Sequence, residues 1–505
     1  MPENSKNNRL AKNTIYLYLR MLFAVCVNLY TSRLVLEYLG VEDFGIYNIV
    51  GGVVWLMMFV NASMRGATSR FISYCLGIND SQELKATISS AIQIHFVIAI
   101  FLLVVGETIG LWFVNTELNI PESSMQAANW VYQFSILSSM VTIIQVPFNA
   151  CILSYEKMNI FALIEIANVS LRCIVVFSLV WFPSRLIGYS ALLFVIAILV
   201  CLLYVLYCFF KIEDFGYSGR FHKNIVKEMS IFAACDLFGN GTFAVRQQGI
   251  NILINRSFGV FYNAAGGVAT QASSIIATFM SNVLSAFRPQ IVKEYSVGNI
   301  SRMEKLMCSE SEILILLIGL IFAPLYINMD FIMLLWLKNV PPYAVVFCRL
   351  LLIYNAVSVV NFVASDGIQA TGNIKNNSLA LGTLNLLCLL IVYIFFLLGY
   401  DASFAYYALL ICISCHTVVN VCMLNAMVKG LDMMRYLTRA IKPYIIVGVS
   451  FWAVSGLVET SFWGDKFIAT FLLNCIFVLT CSSIFYPKYR KVGIAYLKNI
   501  LIKIK

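Results

Sequence analysis

Three arginines interrupt long apolar stretches of the sequence, and they are the side chains best suited to bind a charged group there. Arg20, Arg33 and Arg246 each lie among apolar residues. A guanidinium stays ionised and binds oxyanions through two parallel hydrogen bonds. Placing such a charge in a bilayer costs about 2.5 to 3.5 kcal/mol on insertion scales, so its presence calls for a reason. We therefore treat these three arginines as candidate binding residues.

Each of these arginines also has a structural interpretation. Arg20 lies about seven residues inside the first apolar stretch, so its side chain can instead reach the nearby interface. Arg33 has Glu37 one turn later on the same helix face, which favours an ion pair. Arg20 and Arg33 are about 140° apart around an ideal helix, so both face one cavity only if that helix bends or rotates.

Two acidic residues in apolar segments are candidates for ion coupling. Asp236 and Glu165 are titratable, and either one is able to carry a coupling ion, H+ or Na+. Arg172 follows Glu165 by seven residues on nearly the same helix face. Mutual neutralisation of Glu165 and Arg172 is therefore the alternative to a coupling role for Glu165.

The composition places these residues in membrane-spanning helices. The chain has 505 residues, of which 60% are hydrophobic and 12% are charged, and its mean hydropathy is +0.84. Because one crossing needs about 20 apolar residues, the sequence predicts an all-α polytopic membrane protein with about fourteen spans, or twelve on a stricter count. The spans begin near residues 13, 44, 89, 126, 158, 186, 229, 260, 311, 342, 376, 402, 443 and 467.

The distribution of basic residues predicts the orientation of these spans. Of the 35 lysines and arginines, 26 fall in segments that are cytoplasmic if the N-terminus is inside, and six of these lie in the tail 488–505. The predicted external loops hold only Arg185, Arg256, Lys338 and Lys466. We therefore expect a multi-pass protein of the bacterial cytoplasmic (inner) membrane with both termini in the cytoplasm.

An internal repeat divides the spans into two lobes. The string Tyr-Asn-Ile-Val-Gly-Gly-Val at 47–53 recurs as Tyr-Asn-Ala-Ala-Gly-Gly-Val at 262–268, an offset of 215 residues. Six spans per copy predicts two six-helix lobes of the same orientation. The predicted parts are an N-terminal lobe (13–212), a cytoplasmic linker (213–227), a C-terminal lobe (228–430), helices 13 and 14 (443–487) and a basic cytoplasmic tail (488–505).

Each repeated helix ends in a basic loop. Arg65, Arg70 and Arg288 lie there, where they can draw in an anionic headgroup or simply follow the positive-inside rule.

Other chemistries are excluded by what the sequence lacks. The charge of +10 lies in loops between spans, so we expect no nucleic acid partner. There is no phosphate-binding glycine loop for ATP. Three histidines make a histidine metal cluster improbable, and the haem-type string Cys-Ile-Ser-Cys-His at 412–416 falls inside an apolar span. We expect no catalytic residues, no metal and no cofactor.

The first two spans resemble a known family. Residues 13–77, with Tyr-Thr-Ser-Arg at 30–33, Leu-Gly-Val-Glu-Asp-Phe-Gly-Ile-Tyr-Asn at 39–48 and Gly-Gly-Val at 51–53, are similar to bacterial O-antigen flippase-type proteins of polysaccharide biosynthesis. These belong to the multidrug/oligosaccharidyl-lipid/polysaccharide exporter superfamily. The resemblance implies fourteen helices, alternating access and an undecaprenyl-diphosphate-linked oligosaccharide as substrate.

The resemblance thus suggests a flippase that serves surface polysaccharide or lipopolysaccharide synthesis. Its expected partners are the lipid-linked oligosaccharide, membrane lipids, a polysaccharide polymerase and glycosyltransferases. Two alternatives stay open. One is an ion-coupled exporter of cationic drugs that uses Asp236 and Glu165, and the other is a non-transporting scaffold for glycan assembly.

Overall fold

Regular structure in the described part of the chain is entirely helical. The computed structural model describes residues 3–116, 120–212, 215–217, 222–258, 260–337, 340–341, 343–459 and 466–486. Its helices are α1 (Glu3–Leu39), α2 (Val41–Ile78), α3 (Ser81–Val105), α4 (Leu111–Thr116), α5 (Glu122–Ser154), α6 (Met158–Ser178), α7 (Arg185–Lys211), α8 (Lys223–Phe258), α9 (Val260–Ser296), α10 (Ile300–Ile327), α11 (Met329–Leu337), α12 (Ala344–Thr371), α13 (Lys375–Leu397), α14 (Phe404–Met427), α15 (Met433–Glu459) and α16 (Lys466–Phe485).

The predicted all-α polytopic fold is confirmed. Each of the fourteen predicted spans coincides with a long helix, and α4 and α11 are short extensions of α3 and α10. Within the described residues, ten helices are long and apolar enough to cross a membrane. They are α3 with α4, α5, α6, α7, α10 and α12 to α16.

Four long helices remain, and two of them, α2 and α9, contain the internal repeat. Helices α1, α2, α8 and α9 have 36 to 38 residues each, which corresponds to about 55 Å of helix. A hydrocarbon core is about 30 Å thick, so these helices extend well beyond it. Both copies of the repeated string lie within the first four turns of a long helix, α2 or α9.

The chain forms two compact units. The first contains Met1–Phe238, Ser285–Gly298 and Gly372–Lys375, and the second contains Gly239–Leu284, Asn299–Thr371 and Asn376–Lys505. The unit boundaries fall inside α8 and α9. The lobe bounds 13–212 and 228–430, with helices 13 and 14 at 443–487, stay a prediction. Parts of the linker 213–227 and the whole tail 488–505 lie outside the described residues.

The first unit is built around α5. This helix packs against α2, α3 and α7, while α1 packs against α6. A buried apolar cluster at one end includes Val50, Val131, Tyr132 and Leu186. Tyr132 donates a hydrogen bond of 2.7 Å to the Gly106 carbonyl, at the start of a π turn between α3 and α4. Its buried hydroxyl is therefore satisfied by a carbonyl at the place where the helix is irregular.

The second unit is built around α10 and α12. Helix α10 packs against α12, α15 and α16, and α12 packs against α14. The side chain of Asn474 on α16 donates hydrogen bonds to the Gly319 and Leu320 carbonyls of α10, at 2.9 and 2.8 Å. Its amide oxygen accepts from Ser450 of α15 at 2.8 Å. One buried amide thus links α16 to α10 and α15 within the second unit, because polar contacts hold helices together where lipid replaces water.

Replacing Asn474 with leucine removes these three hydrogen bonds and keeps the branched skeleton of four side-chain heavy atoms. We expect Asn474→Leu to lower the free energy of unfolding by about 1 to 2 kcal/mol, the sum of several interhelical bonds in a membrane. Unfolding of purified protein in mixed micelles measures this loss. Thr480→Ala is the matched control, since Thr480 lies exposed on α16 and bonds only to its own helix. Equal free energies of unfolding for Asn474→Leu and Thr480→Ala would contradict the role of Asn474 in linking α16 to α10 and α15.

Candidate functional site

The guanidinium of Arg246 is buried inside the second unit. Arg246 lies on α8 and is 3% exposed. Its Nη1 donates to Asn385 Oδ1 at 2.8 Å, and its Nη2 lies 3.4 Å from the Tyr354 hydroxyl. The ring of Phe243 lies 4.8 Å from the guanidinium carbon, in a cation–π contact. Four helices, α8, α12, α13 and α14, therefore enclose this cation, with Cys412 as the contact from α14.

No carboxylate balances Arg246 among the residues that the structure describes. The described groups that interact with it are Tyr354, Cys412, Cys388, His416, Asn385 and the Phe243 ring. Its Nε is buried and has no hydrogen-bond partner among the described residues. A buried cation without a counter-charge is costly in a protein interior. The arrangement is thus a site of uncompensated positive charge, which an anionic ligand would stabilise.

Neutral polar groups line the helices around Arg246. Asn385 donates through its amide nitrogen to Thr242, 3.3 Å away on α8. Cys412 and His416 are one turn apart on α14, and His416 interacts electrostatically with Arg246. One turn further, Asn420 donates to Asn361 of α12 at 2.9 Å. This row of polar residues on α14 runs along the buried interior of the second unit.

Arg20 occupies a different environment in the first unit. It is half-buried on α1, with its guanidinium carbon 5.0 Å from the Phe161 ring of α6. It interacts electrostatically with Glu165 and Tyr204, and with a second cation, Arg65. Arg20 therefore has a carboxylate nearby, unlike Arg246, and the two arginines belong to separate compact units.

Glu165 has a partner that the sequence did not predict. Its Oε1 accepts a 2.8 Å hydrogen bond from the buried Tyr204 hydroxyl of α7. The predicted neutralisation of Glu165 by Arg172 is wrong in the described residues, because Arg172 Nε donates to Asn168 at 3.1 Å on its own helix. The other coupling candidate, Asp236, is half-buried on α8 within the first unit. The side chain of Arg33 lies outside the described residues, although its backbone belongs to α1.

The three candidate entry arginines lie in the first unit but differ in exposure. Arg65 is exposed, Arg288 is half-buried and Arg70 is buried. The Arg70 guanidinium carbon lies 4.7 Å from the Phe71 ring and 4.9 Å from the Tyr74 ring. Gly372, with φ of +81°, makes room for it, since a Cβ there would collide with the guanidinium. Arg70 is thus packed into the unit, whereas Arg65 is accessible.

A buried ion pair fixes the end of α9 in the first unit. Lys293 Nζ lies 2.9 Å from Glu156 Oε1, and Gln290 donates to the other carboxylate oxygen at 3.1 Å. Glu156 is 8% exposed and adopts φ of +58° at the end of α5. Gly77 permits close approach, because a Cβ there would lie 2.8 Å from the Lys293 carbonyl oxygen. We call Glu156, Gln290 and Lys293 the Glu156 cluster.

The sequence missed the residues that surround the two cations. Asn385, Tyr354 and His416 around Arg246, and Tyr204 beside Glu165, did not enter the candidate set. An amide inside an apolar span was the available signal, since such groups need a buried partner. Among the described residues, no three or more His, Cys, Asp or Glu side chains are grouped to hold a metal ion.

Solved multidrug-transporter structures share this fold. An outward-facing multidrug resistance MATE family transporter of the MOP superfamily matches with a TM-score of 0.75 and 12% identity, over 85% of this chain and 97% of that chain. A MOP superfamily transporter from Pyrococcus furiosus Vc1 (DSM3638) matches with a TM-score of 0.71 and 11% identity, over 84% and 97%. No protein-family model and no curated protein sequence match the chain. At these identities the similarity establishes the fold alone, that of a multi-pass membrane protein.

Substituting glutamine for Arg246 and for Lys293 compares two contributions to the free energy of unfolding. Arg246 has no carboxylate partner among the described residues, whereas Lys293 is part of an ion pair. We expect Arg246→Gln to change the free energy of unfolding by less than about 1 kcal/mol, because no carboxylate loses its partner. Lys293→Gln removes the 2.9 Å ion pair with Glu156 and should cost about 2 kcal/mol, since Lys293 keeps some exposure. Unfolding in mixed micelles compares the two variants. A larger loss for Arg246→Gln would mean that its charge is structural.

Proposed function

We propose that this protein is a flippase that moves a lipid-linked oligosaccharide across the cytoplasmic membrane by alternating access. The observation that carries the proposal is the uncompensated guanidinium of Arg246 inside the second unit. The substrate is an undecaprenyl-diphosphate-linked oligosaccharide, for surface polysaccharide or O-antigen synthesis. Arg246 and Arg20 bind its diphosphate.

The chemistry of a diphosphate suits the Arg246 site. A guanidinium forms charge-assisted, bidentate hydrogen bonds to phosphate oxygens, and Arg246 has an unpartnered Nε in addition to its bonded Nη atoms. Tyr354 and Asn385 can orient further oxygens beside it. Binding an anion there removes the cost of an isolated buried cation, which supplies a driving force for uptake.

The first unit supplies a second basic site in this proposal. Arg20 and Arg65 together outweigh the single carboxylate of Glu165 in their neighbourhood. Glu165, held by Tyr204, can release Arg20 to a phosphate or take up a coupling H+ or Na+, and Asp236 has the same proposed role. Arg33 is the third proposed phosphate ligand. Arg65, Arg70 and Arg288 are proposed to guide the headgroup in.

The fold accommodates binding sites of different charge. The Pyrococcus furiosus transporter is described as having a binding pocket of reverse polarity, which suggests a different function for that protein. A MATE-type fold around a cation without a counter-charge is therefore compatible with an anionic substrate. Membrane lipids, a polysaccharide polymerase and glycosyltransferases are the proposed partners, with both termini of the flippase in the cytoplasm.

An ion-coupled exporter of cationic drugs is the second candidate. It is favoured by the match to a multidrug resistance MATE family transporter. In that case Glu165 and Asp236 would bind the drug or the coupling ion. Arg246 argues against it, because a buried cation repels a cationic substrate.

Export of surface glycan tests the proposal. In a deletion strain complemented with variants, we expect Arg246→Gln and Arg20→Gln each to reduce surface glycan at least tenfold and to accumulate the undecaprenyl-linked oligosaccharide. The reason is that each variant loses a charge-assisted phosphate contact, worth about 1.5 to 3 kcal/mol. Quantifying surface glycan and the lipid-linked pool by mass spectrometry measures both effects.

Arg172→Gln is the matched control. Arg172 is also an arginine inside a span, but it is exposed and bonds to Asn168 on its own helix. Glycan export at the wild-type level in both test variants, with normal membrane insertion, would refute the diphosphate role. Drug sensitivity of the deletion strain with unchanged glycan would favour the cation exporter.

A further inference from the structure

Two tyrosines, Tyr262 and Tyr343, and Asp401 come together at one end of the second unit, and a third tyrosine, Tyr400, precedes Asp401 in the chain. Tyr262 lies in the first turn of α9, Tyr343 immediately precedes α12, and Tyr400 and Asp401 lie in the turn between α13 and α14. We call these four residues the tyrosine cluster. The rings of Tyr262 and Tyr343 are 5.0 Å apart between centroids. Three separate parts of the chain thus place aromatic rings beside a carboxylate, at the end that the charge distribution predicts to be external.

Tyr343 adopts a backbone conformation that is unfavourable for an aromatic residue. Its φ is +67°, in the left-handed region that glycine prefers. The Tyr343 carbonyl accepts from the Phe347 amide at 2.9 Å and so begins α12. Its side chain is nevertheless 37% exposed. Strained backbone positions of this kind concentrate at binding sites.

Asp401 is held rigidly next to Tyr343. Its Oδ1 accepts from the Ala402 amide at 2.6 Å, and its Oδ2 accepts from the Ser403 hydroxyl at 2.9 Å. Each carboxylate oxygen keeps a further lone pair for a ligand hydroxyl. The Asp401 carboxylate raises the pKa of the Tyr343 phenol, with a smaller contribution from Tyr262, because both lie close to its hydroxyl.

Further aromatic rings pack against the residues of the tyrosine cluster. Tyr343 contacts Phe347 at 5.9 Å between centroids, and Phe347 stacks on Tyr406 at 4.2 Å. Tyr400 packs against Phe395 and Phe404, at 4.9 and 5.4 Å. Exposed rings that are fixed in this way lose little conformational freedom when a ligand binds.

We infer that the tyrosine cluster is a carbohydrate-binding site for the glycan of the substrate, on the release side of the membrane. The apolar face of a sugar ring would lie on the exposed tyrosine rings, while sugar hydroxyls donate to the Asp401 carboxylate and to the phenol oxygen of Tyr343. A belt of interfacial aromatic residues would contact lipid without needing a strained backbone or a fixed carboxylate. The inference rests on the proposed function, since it assigns a site to the glycan part of that substrate.

Binding of free glycan tests this inference. The probe is oligosaccharide released by mild acid from the host's own surface polysaccharide, which carries no lipid and no diphosphate. Saturation-transfer difference NMR on the full-length protein in lipid nanodiscs measures its Kd. We expect Tyr343→Gly to raise that Kd roughly three- to tenfold, the loss of one aromatic contact. The thermal midpoint should change little, because the relief of strain at this φ offsets the lost ring contacts with Tyr262 and Phe347.

A control variant and outcomes that differ between the two sites distinguish this carbohydrate site from the diphosphate site. Tyr407→Ala removes another tyrosine, 47% exposed on α14, and should leave the Kd unchanged. Saturation transfer to lipid headgroups alone, or equal Kd values for Tyr343→Gly and the wild type, would overturn the inference. If glycan binding does not depend on Tyr343 while export needs Arg246, only this inference fails. The reverse result refutes only the diphosphate role of Arg246.

Discussion

Keeping one guanidinium charged inside an apolar helical bundle costs free energy, and this cost constrains which side chains of the second unit surround Arg246. Arg246 cannot lose its proton, so the unit must surround it with dipoles. Asn385, Tyr354 and the Phe243 ring do this, and Asn385 is in turn bonded to Thr242. Neutral dipoles reduce the self-energy of the charge but do not cancel its field. A positive electrostatic potential therefore remains around the Arg246 guanidinium inside the second unit.

The internal repeat preserves the helix plan but does not duplicate this site. By the offset of 215 residues, Arg246 corresponds to Thr31, whose hydroxyl bonds to the Val27 carbonyl on its own helix. Arg20 corresponds in the same way to Cys235. Arg20 in the first unit also lies near a carboxylate, Glu165, whereas no carboxylate among the described residues interacts with Arg246. The two halves thus share a scaffold while their charged sites occupy different positions and differ in electrostatic balance.

Span number and the positions of the cations were predictable from the sequence, because both depend on local properties. Apolar length determines a span, and a charge within it is visible in the sequence. The partners were not predictable in the same way. Arg246 meets Asn385 across 139 residues, and Glu165 bonds to Tyr204 of another helix rather than to Arg172 of its own. Helix packing determines which partner each side chain meets, and a single sequence does not specify that packing. Helix packing also sets the unit boundaries inside α8 and α9, since the residues around Lys293 pack with the first unit.

The amide of Asn474 has a consequence for how the chain is assembled during synthesis. Helix α16 is apolar enough to enter the bilayer by itself, but within hydrocarbon its amide stays unsatisfied until the carbonyls of α10 are within reach. Helix α10 precedes α16 in the chain, so its carbonyl acceptors are synthesised before the Asn474 amide that needs them. We therefore expect α16 to join α10 in a polar docking step, after α10 has entered the membrane.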